Sequence, residues 1–191
     1  MLIIIEGIDQ SGKTTFAKKL CERIINSKYY HFPNYEVSSG KLIQKVLQGE
    51  IYKSPESLQR LYKINRTETM SLIQKDLNEG RNVICDRYSY SGYIYSLALG
   101  LDDDFARDMK RDVIKPDIKI YLKCPIEITE KRRELKDIND IYENLYFQKK
   151  VEKIFDEYID DRLDKWLVLD HESSLDYNLS KVMTVYYGCY C

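Results

Sequence analysis

The stretch EGIDQSGKTT, residues 6–15, constrains the fold of this chain more than any other feature. Gly7 and Gly12 are separated by four residues and are followed directly by Lys13 and Thr14, which gives the spacing G-x-x-x-x-G-K-[ST]. In such a turn the glycines let successive backbone N–H groups point at one oxyanion, and the helix that follows adds its positive end. The apolar run LIIIE before the turn predicts a buried strand, and apolar residues at helical spacing follow it.

We predict that this loop, residues 7–14, binds a nucleoside triphosphate together with Mg²⁺. Lys13 can bridge the outer phosphates, and the Thr14 hydroxyl can ligate a magnesium ion held against them. The alternative is a chance match in a glycine-rich turn, but the strand before it and the amphipathic helix after it favour a phosphate-binding loop. The predicted triphosphate-binding residues are Gly7, Ile8, Asp9, Gln10, Ser11, Gly12, Lys13, Thr14 and Thr15.

Composition limits the partners of the chain. Its 191 residues fit one domain, residues 1–191, and 30 basic against 31 acidic residues give a net charge of -1. No global positive field is therefore available for nucleic acid or an anionic membrane. The five cysteines are scattered, without zinc-finger spacing, and the run LIII is too short for a membrane span. We expect a cytoplasmic protein that binds neither nucleic acid nor membrane.

Strand patterns alternate with helical patterns along the whole chain. The predicted strands are LIIIE, KYYHFP, NVICDR, KPDIKIYLK and KWLVLD. The longest helix of the front half is predicted to begin after Ser54, with Pro55 and Glu56 in its first turn, and to stop at Gly80. This alternation predicts an α/β fold with a five-stranded parallel sheet covered by helices on both faces.

A second centre is expected at VICDRYSYSG, residues 83–92. Asp86 ends a predicted parallel strand and so lies beside the phosphate loop, where its carboxylate can order the hydration shell of Mg²⁺. Arg87 can then bind a second phosphate in bidentate fashion. The alternative is a surface ion pair at the start of the next helix. The string N-K-x-D, with which a signalling GTPase reads guanine, is absent.

With both centres in place, the chain resembles the thymidylate kinase family, whose members transfer a phosphoryl group from ATP to dTMP. The matching stretches, in family order, are LIIIEGIDQSGKTT, HFPN, INRTE, VICDRYSYSG, KPDIKIYL and YENLYFQ. DRYSYSG following NRTE is the specific part. The resemblance implies a three-layer P-loop kinase fold, a lid segment at about residues 132–142, and a homodimer.

The resemblance also implies the roles of the residues that bind dTMP. Asp9 would reach the sugar 3′-hydroxyl, and Arg87 would hold the phosphate. Tyr62 would stack on thymine, and Arg66 would bind the base edge and help with the phosphate; ordinary core packing is the alternative for Tyr62. The other substrate-binding residues carried over by motif position are Phe32, Pro33, Ser91, Gly92, Tyr95 and Tyr142.

Two positions depart from the family pattern. Tyr35 stands where the family usually has an arginine for the acceptor phosphate, and a phenol cannot replace its charge. Lys41 could substitute. Gln10 stands where one family branch has a loop arginine, so we expect a lid residue to act on the transferring phosphoryl group. Arg133 is the first candidate and Lys136 the second, with Arg132 at the ATP; a solvated charge run is the alternative.

The resulting hypothesis is an ATP:dTMP phosphotransferase that forms dTDP, with Mg²⁺ at Thr14 and Asp86 and ATP as the donor. Its predicted catalytic residues are Lys13, Asp86, Arg87 and Arg133. Two alternatives stay open. A deoxynucleoside kinase would share the loop but take an acceptor without a phosphate, and a non-catalytic regulator derived from the kinase would bind nucleotide without turnover.

Overall fold

A computed structural model describes residues 1–134, 145–162 and 165–189 of the chain. Its centre is one sheet of five strands in the order β2-β3-β1-β4-β5, with every neighbouring pair parallel. The strands are β1 Leu2–Glu6, β2 Ser27–His31, β3 Asn82–Asp86, β4 Ile118–Lys123 and β5 Leu167–Asp170. The five strands and the parallel sheet expected from the sequence are confirmed.

Helices fill the connections between the strands. They are α1 Lys13–Arg23, α2 Ser38–Leu47, α3 Pro55–Asn78, α4 Ser89–Ala98, α5 Asp103–Asp108, α6 Ile126–Glu134, α7 Leu145–Asp160 and α8 Leu175–Gly188. The predicted start of α3 is confirmed, because the Ser54 side chain accepts a hydrogen bond from Ser57 N and Pro55 is the first helical residue. None of the described helices combines the length and apolarity needed to cross a bilayer.

The two faces of the sheet pack into separate cores, which gives the three layers. Along β1 the side chains alternate, so Ile3 and Ile5 pack with α1 and α8 while Leu2 and Ile4 pack with α3, α4 and α7. All five residues of β1 are buried, as expected for a central strand covered on both faces. This alternation explains why LIIIE is apolar throughout except at its last residue.

Parallel pairing brings several loops to one edge of the sheet. Ile5 of β1 and His31 of β2 both lie in register with Asp86 of β3, so these strands end together. The phosphate loop, the β3–α4 junction and the segment after β2 therefore meet at the carboxyl edge, which is where ligands bind in open α/β sheets.

Candidate active site

The conformation of the glycine loop depends on two positions without a side chain, Gly7 and Gly12. A Cβ on Gly7 would lie 2.7 Å from the backbone oxygen of Leu122 at the end of β4, so only glycine fits there. Gly12 has φ 97°, a left-handed conformation, and forms the N-cap of α1. Gln10 between them also adopts a positive φ of 59°. The loop is thus folded tightly against the sheet, with the amino end of α1 at its opening.

Lys13 is buried and turns back over the loop. Its Nζ donates hydrogen bonds to the backbone oxygen of Ile8 and, at 3.2 Å, to Ser11 Oγ. Burial, aided by the positive charge of Arg87, lowers the pKa of Lys13 to about 8. Asp9, Asp86 and Glu6 partly offset this effect, and an incoming phosphate would stabilise the ammonium group further because it adds negative charge beside it.

The Asp86 carboxylate forms three hydrogen bonds at the sheet edge, all through one oxygen. Its Oδ2 accepts a hydrogen bond from Thr14 Oγ1 at 2.5 Å and from Tyr29 at 3.3 Å, and hydrogen-bonds His31 Nδ1 at 3.0 Å. Burial would raise the pKa of Asp86, but the bond to His31 and the charge of Lys13 outweigh it and bring the pKa to about 2. Asp86 is therefore an anion at neutral pH.

The surroundings of Asp86 fit a magnesium ion that is shared with a bound nucleotide. Asp86 Oδ1 is buried and, within the described part of the chain, has no hydrogen-bond partner. The Thr14 hydroxyl is the nearest polar neighbour of the same carboxylate. The described residues contain no group of three His, Cys, Asp or Glu that could hold a metal ion. One carboxylate, one hydroxyl and substrate phosphates are typical Mg²⁺ ligands, so no all-protein site is required.

Arg87 joins the β3–α4 junction to the phosphate loop. It has a positive φ of 64°, and its Nη1 donates to the backbone oxygen of Gly7 at 3.2 Å and to Ser91 Oγ at 3.1 Å. Its Nη2 donates to Asp9 Oδ1. Burial would lower the pKa of Arg87, but Asp9 and nearby acidic groups outweigh it and raise the pKa. A permanently charged guanidinium thus lies at the base of the cavity.

Asp9 receives hydrogen bonds from three elements. Besides Arg87, Tyr95 of α4 and Gln148 of α7 each donate to its Oδ2 at 2.7 Å. Burial alone would raise the pKa of Asp9, but the charges of Arg87 and Lys13 and these hydrogen bonds lower it. The loop carboxylate is therefore ionised and fixed in orientation.

Glu6, which the sequence analysis did not single out, holds the start of α4 against the loop. Its Oε1 accepts from the backbone N–H groups of Tyr88 and Ser91, each at 3.0 Å, and its Oε2 accepts from the Ser91 hydroxyl. Burial raises the pKa of Glu6. A carboxylate at the end of a buried strand needs partners, so its position in LIIIEG was a usable signal.

A cavity of about 830 Å³ opens in front of the loop, and its acceptor end contains a buried guanidinium. Arg66 is only 4% exposed, its Nη2 donates to the backbone oxygen of Met109 at 3.1 Å, and its Nε has no partner among the described residues. Gly92 makes room, since a Cβ there would lie 2.8 Å from Arg66 Nη2. Burial lowers the pKa of Arg66 to about 10, so the cation persists at neutral pH.

The other end of the cavity carries polar groups that the sequence analysis missed. His171, Ser173 and Asn178 line it. Asn178 Nδ2 donates to the backbone oxygen of Asp170 at 2.8 Å, whereas its buried Oδ1 has no partner among the described residues. These residues follow β5, whose carboxyl end lies at the same sheet edge as the loop.

The structure brings most predicted site residues to this cavity. Those that line it are Asp9, Gln10, Ser11, Gly12, Lys13, Thr14, Thr15, Phe32, Pro33, Tyr62, Arg66, Asp86, Arg87, Ser91, Gly92, Tyr95 and Arg132. Gly7 and Ile8 contribute backbone oxygens to Arg87 and Lys13. Tyr142 and Lys136 lie outside the described residues.

Three predicted cations have different surroundings. Arg132 Nη1 donates to the backbone oxygen of Gln10 at 3.0 Å, beside the loop. Arg133 lines a separate small gap, and its Nη2 lies 3.8 Å from Glu130 Oε1. Lys41 is exposed on α2. Tyr35, at the position of the expected arginine, lines the cavity with its ring 6.4 Å from that of His31.

Comparisons with known proteins agree with this geometry. The family model described as thymidylate kinase matches residues 5–182. The thymidylate kinase of Dictyostelium discoideum is 33% identical, over 97% of this chain and 84% of that protein. A probable thymidylate kinase of Methanococcus aeolicus is 41% identical, over 84% of this chain and 80% of that protein.

A solved structure extends the likeness to the fold. The thymidylate kinase from Candida albicans superposes with a TM-score of 0.84 and 29% sequence identity, covering 99% of this chain and 92% of that chain. Since the family match spans nearly the whole chain and includes both the phosphate loop and the Asp86–Arg87 centre, the chain belongs to the thymidylate kinase family.

Proposed function

We propose that this protein transfers the γ-phosphoryl group of ATP to dTMP, forming ADP and dTDP, and so supplies a step of dTTP synthesis. The observation that carries the proposal is one cavity that contains an anion-binding loop and two guanidinium groups, the buried Arg66 and the partly buried Arg87. Membership of the thymidylate kinase family supports the same acceptor.

Phosphoryl transfer depends chiefly on placing two phosphates in line and on neutralising their charge. In the proposed reaction, loop N–H groups and Lys13 bind the triphosphate, and Arg87 binds the dTMP phosphate. An oxygen of that phosphate attacks the γ-phosphorus while the bond to the ADP oxygen breaks. The attacking phosphate is already an anion, so no residue needs to remove a proton from it.

Arg87 would exchange partners when dTMP binds. In the structure its Nη2 donates to the Asp9 carboxylate. A dTMP phosphate that takes over this guanidinium leaves Asp9 Oδ1 able to accept from a sugar hydroxyl. In the proposed complex, Arg87 would therefore bind the phosphate of dTMP, and Asp9 would bind a sugar hydroxyl of the same molecule.

Mg²⁺ is part of the proposal, with Thr14 and Asp86 as the protein groups that would hold it. When bound, the ion would neutralise charge on the phosphates of ATP. Asp86 Oδ1, which is buried and has no hydrogen-bond partner among the residues that the structure describes, supports this assignment. Among the arginines of α6, Arg132 lies nearer the loop opening, and Arg133 stays a prediction as the catalytic lid residue.

The alternative of a deoxynucleoside kinase fits the acceptor end less well. An acceptor without a phosphate would leave the buried guanidinium of Arg66, whose Nε has no partner among the described residues, without an incoming anion, which is costly because buried cations need compensation. The non-catalytic alternative would leave the same group unused. Neither alternative is favoured by an observation at the site.

The test is a coupled assay for ADP release with dTMP, dUMP, AMP, GMP and thymidine as acceptors. We expect dTMP to be the preferred acceptor and thymidine to be inactive. The Lys13→Met variant should abolish transfer, whereas Lys18→Met, an exposed lysine on the same helix α1, should keep it. Preference for thymidine would overturn the proposal, as would an unchanged rate in K13M.

The proposal includes a homodimer, which rests on the family resemblance, and a cytoplasmic location, which rests on the scattered cysteines and the short apolar runs of the sequence. Light scattering after size-exclusion chromatography would measure the mass in solution. A mass near that of two 22.7 kDa chains is expected. A monomer at micromolar concentration would contradict the proposed homodimer, but it would not bear on the proposed reaction.

A further inference from the structure

Gln148 is a polar residue on the buried face of helix α7. The buried residues of α7 are Gln148, Val151, Phe155 and Ile159, at spacings of three, four and four. The other three are apolar and pack in the core that covers one face of the sheet. Gln148 is itself only 3% exposed. A buried carboxamide is costly unless its donor and acceptor are both satisfied, so its contacts indicate what it does.

The contacts of Gln148 with Asp9 run in both directions. Gln148 Nε2 donates to Asp9 Oδ2 at 2.7 Å, and Gln148 Oε1 accepts from the backbone N–H of Asp9 at 3.3 Å. One carboxamide therefore holds the main chain and the side chain of the same loop residue. Because each half of the amide meets the matching group on Asp9, the orientation of the amide is determined by the contact.

Two further side chains donate hydrogen bonds to the same carboxylate. Arg87 binds Asp9 Oδ1 from the β3–α4 junction, and Tyr95 binds Oδ2 from α4. Gln148 is the contact from α7, which lies 139 residues away in the sequence. When a phosphate competes for Arg87, Tyr95 and Gln148 remain to keep the carboxylate in place.

We propose that Gln148 is a positioning residue for phosphoryl transfer, which fixes Asp9 toward the acceptor nucleoside without touching the substrate itself. The inference rests on the proposed function, since it gives Asp9 a role at the acceptor. We infer that both hydrogen bonds are needed to hold Asp9: the one that Gln148 Nε2 donates to Asp9 Oδ2 and the one that Gln148 Oε1 accepts from the Asp9 N–H.

The Gln148→Glu variant tests this with a change of nearly equal shape. When ionised, the introduced carboxylate repels Asp9 and offers no donor to Oδ2. When protonated, it can donate to Oδ2 and accept from the Asp9 N–H, as the amide does. Asp9, Arg87, Tyr95, Lys13, Glu130 and Arg133 are the titratable and charged groups around this position.

The expected readout is a pH-dependent rescue. At pH 8, kcat/KM for dTMP should fall about 10- to 100-fold in Q148E, which is the usual effect of losing a hydrogen bond to a charged group. It should recover as the pH is lowered toward 6, relative to the wild-type profile. Gln148→Leu should show the same loss without recovery. KM for ATP should change less than about twofold, because Gln148 does not face the triphosphate.

Gln74→Glu is the matched control, since it makes the same chemical change on the exposed face of α3, where the Gln74 amide pairs with Asn78. It should leave kcat/KM unchanged at every pH. A Q148L enzyme with wild-type kcat/KM, or a Q148E profile parallel to that of the wild type, would overturn the inference.

A measurement without turnover separates this inference from the proposed function. Thermal unfolding of Q148L, D9A and the double variant forms a double-mutant cycle for the side-chain hydrogen bond between Gln148 and Asp9. The decrease in Tm for the double variant should be smaller than the sum of the single decreases, because both substitutions remove the same contact. Additive decreases would contradict the contact. A wild-type protein that does not phosphorylate dTMP would instead contradict the proposed function.

Discussion

Two clusters in this molecule are built from the same three residue types but differ in what surrounds them. They are Asp9, Arg87 and Tyr95 at the cavity, and Asp76, Arg81 and Tyr30 beside the start of β3. In each cluster an arginine and a tyrosine hydroxyl donate to the two oxygens of one aspartate. In each, burial would raise the aspartate pKa, but hydrogen bonds and the arginine charge outweigh it and lower the pKa.

The clusters differ in how far apart the aspartate and the arginine lie in the sequence. Asp76 and Arg81 are 5 residues apart and join the end of α3 to β3, with both Arg81 Nε and Nη2 on one oxygen. Asp9 and Arg87 are 78 residues apart and join two loops at the carboxyl edge of the sheet. The Asp76–Arg81 pair fixes the connection between α3 and β3. The distant one holds a cation where a substrate anion can reach it, so the same chemistry serves stability in one place and binding in the other.

The largest effect should come from replacing Arg87 by methionine, and the same replacement of Arg81 is the comparison. Arg87→Met removes a preorganised donor to the acceptor phosphate and should lower kcat/KM for dTMP about 10²- to 10³-fold. Arg81→Met should leave kcat/KM within about twofold, because Arg81 lies away from the cavity, and should instead lower the resistance to urea. Coupled assays and urea unfolding measure the two effects. Equal losses of activity in R87M and R81M would contradict the proposed difference between the two clusters.

A smaller effect should appear in the pH dependence of stability when Asp76 is changed to Asn. The folded-state pKa of Asp76 is lowered from the ordinary value of 3.8. Its contribution is therefore complete above pH 4 and is lost as the pH falls through the folded-state value. The gap in unfolding free energy between wild type and D76N should be constant from pH 7 to 5 and should narrow below about pH 4.

Urea unfolding at pH 7, 5 and 3.5 would measure this gap for D76N, and dTMP turnover at pH 7 would be the control. Turnover should stay within about twofold of wild type, since Asp76 lies outside the cavity. A gap that widened on acidification would mean that the carboxylate is not the favoured form in the folded protein.

The smallest effects should come from removing the two tyrosine hydroxyls. Tyr30→Phe should lower the unfolding free energy by about 1 kcal/mol, the usual net value of one hydrogen bond, and should leave turnover unchanged. Tyr95→Phe should raise KM for dTMP by about three- to tenfold, because Asp9 loses one donor. Calorimetric titration of dTMP and thermal unfolding would compare them. A Y30F variant with impaired dTMP binding would show that the local cluster is not separate from the site.

Much of the fold could be read from the sequence because it depends on local patterns. Short runs of aliphatic and aromatic residues indicated the five strands, and Ser54, Pro55 and Gly80 marked the ends of α3. The glycine spacing predicted the phosphate loop because the loop leaves no room for a Cβ at Gly7 and requires a left-handed conformation at Gly12. These features are set by conformational preferences within a few residues.

The candidate site could be predicted only in part. Lys13, Thr14, Asp86 and Arg87 follow from motif and strand-end position. Glu6 and Gln148 were missed, although each left a signal: a carboxylate ending a buried strand, and an amide on an apolar helix face. Arg132 was expected at the ATP and Arg133 at the transferring phosphoryl group, but the residue pattern of α6 could not show which of them faces the loop, since this helix is charged around most of its surface.

The sequence by itself determined the elements, their order and the chemistry of the loop, because each depends on neighbours along the chain. Only the tertiary structure decided which polar groups meet: Asp9 with Gln148, His31 with Asp86, and Arg66 buried beside Gly92. Those pairings arise because parallel strands end at one edge and helices pack in a particular rotation, and neither condition is encoded within any single segment.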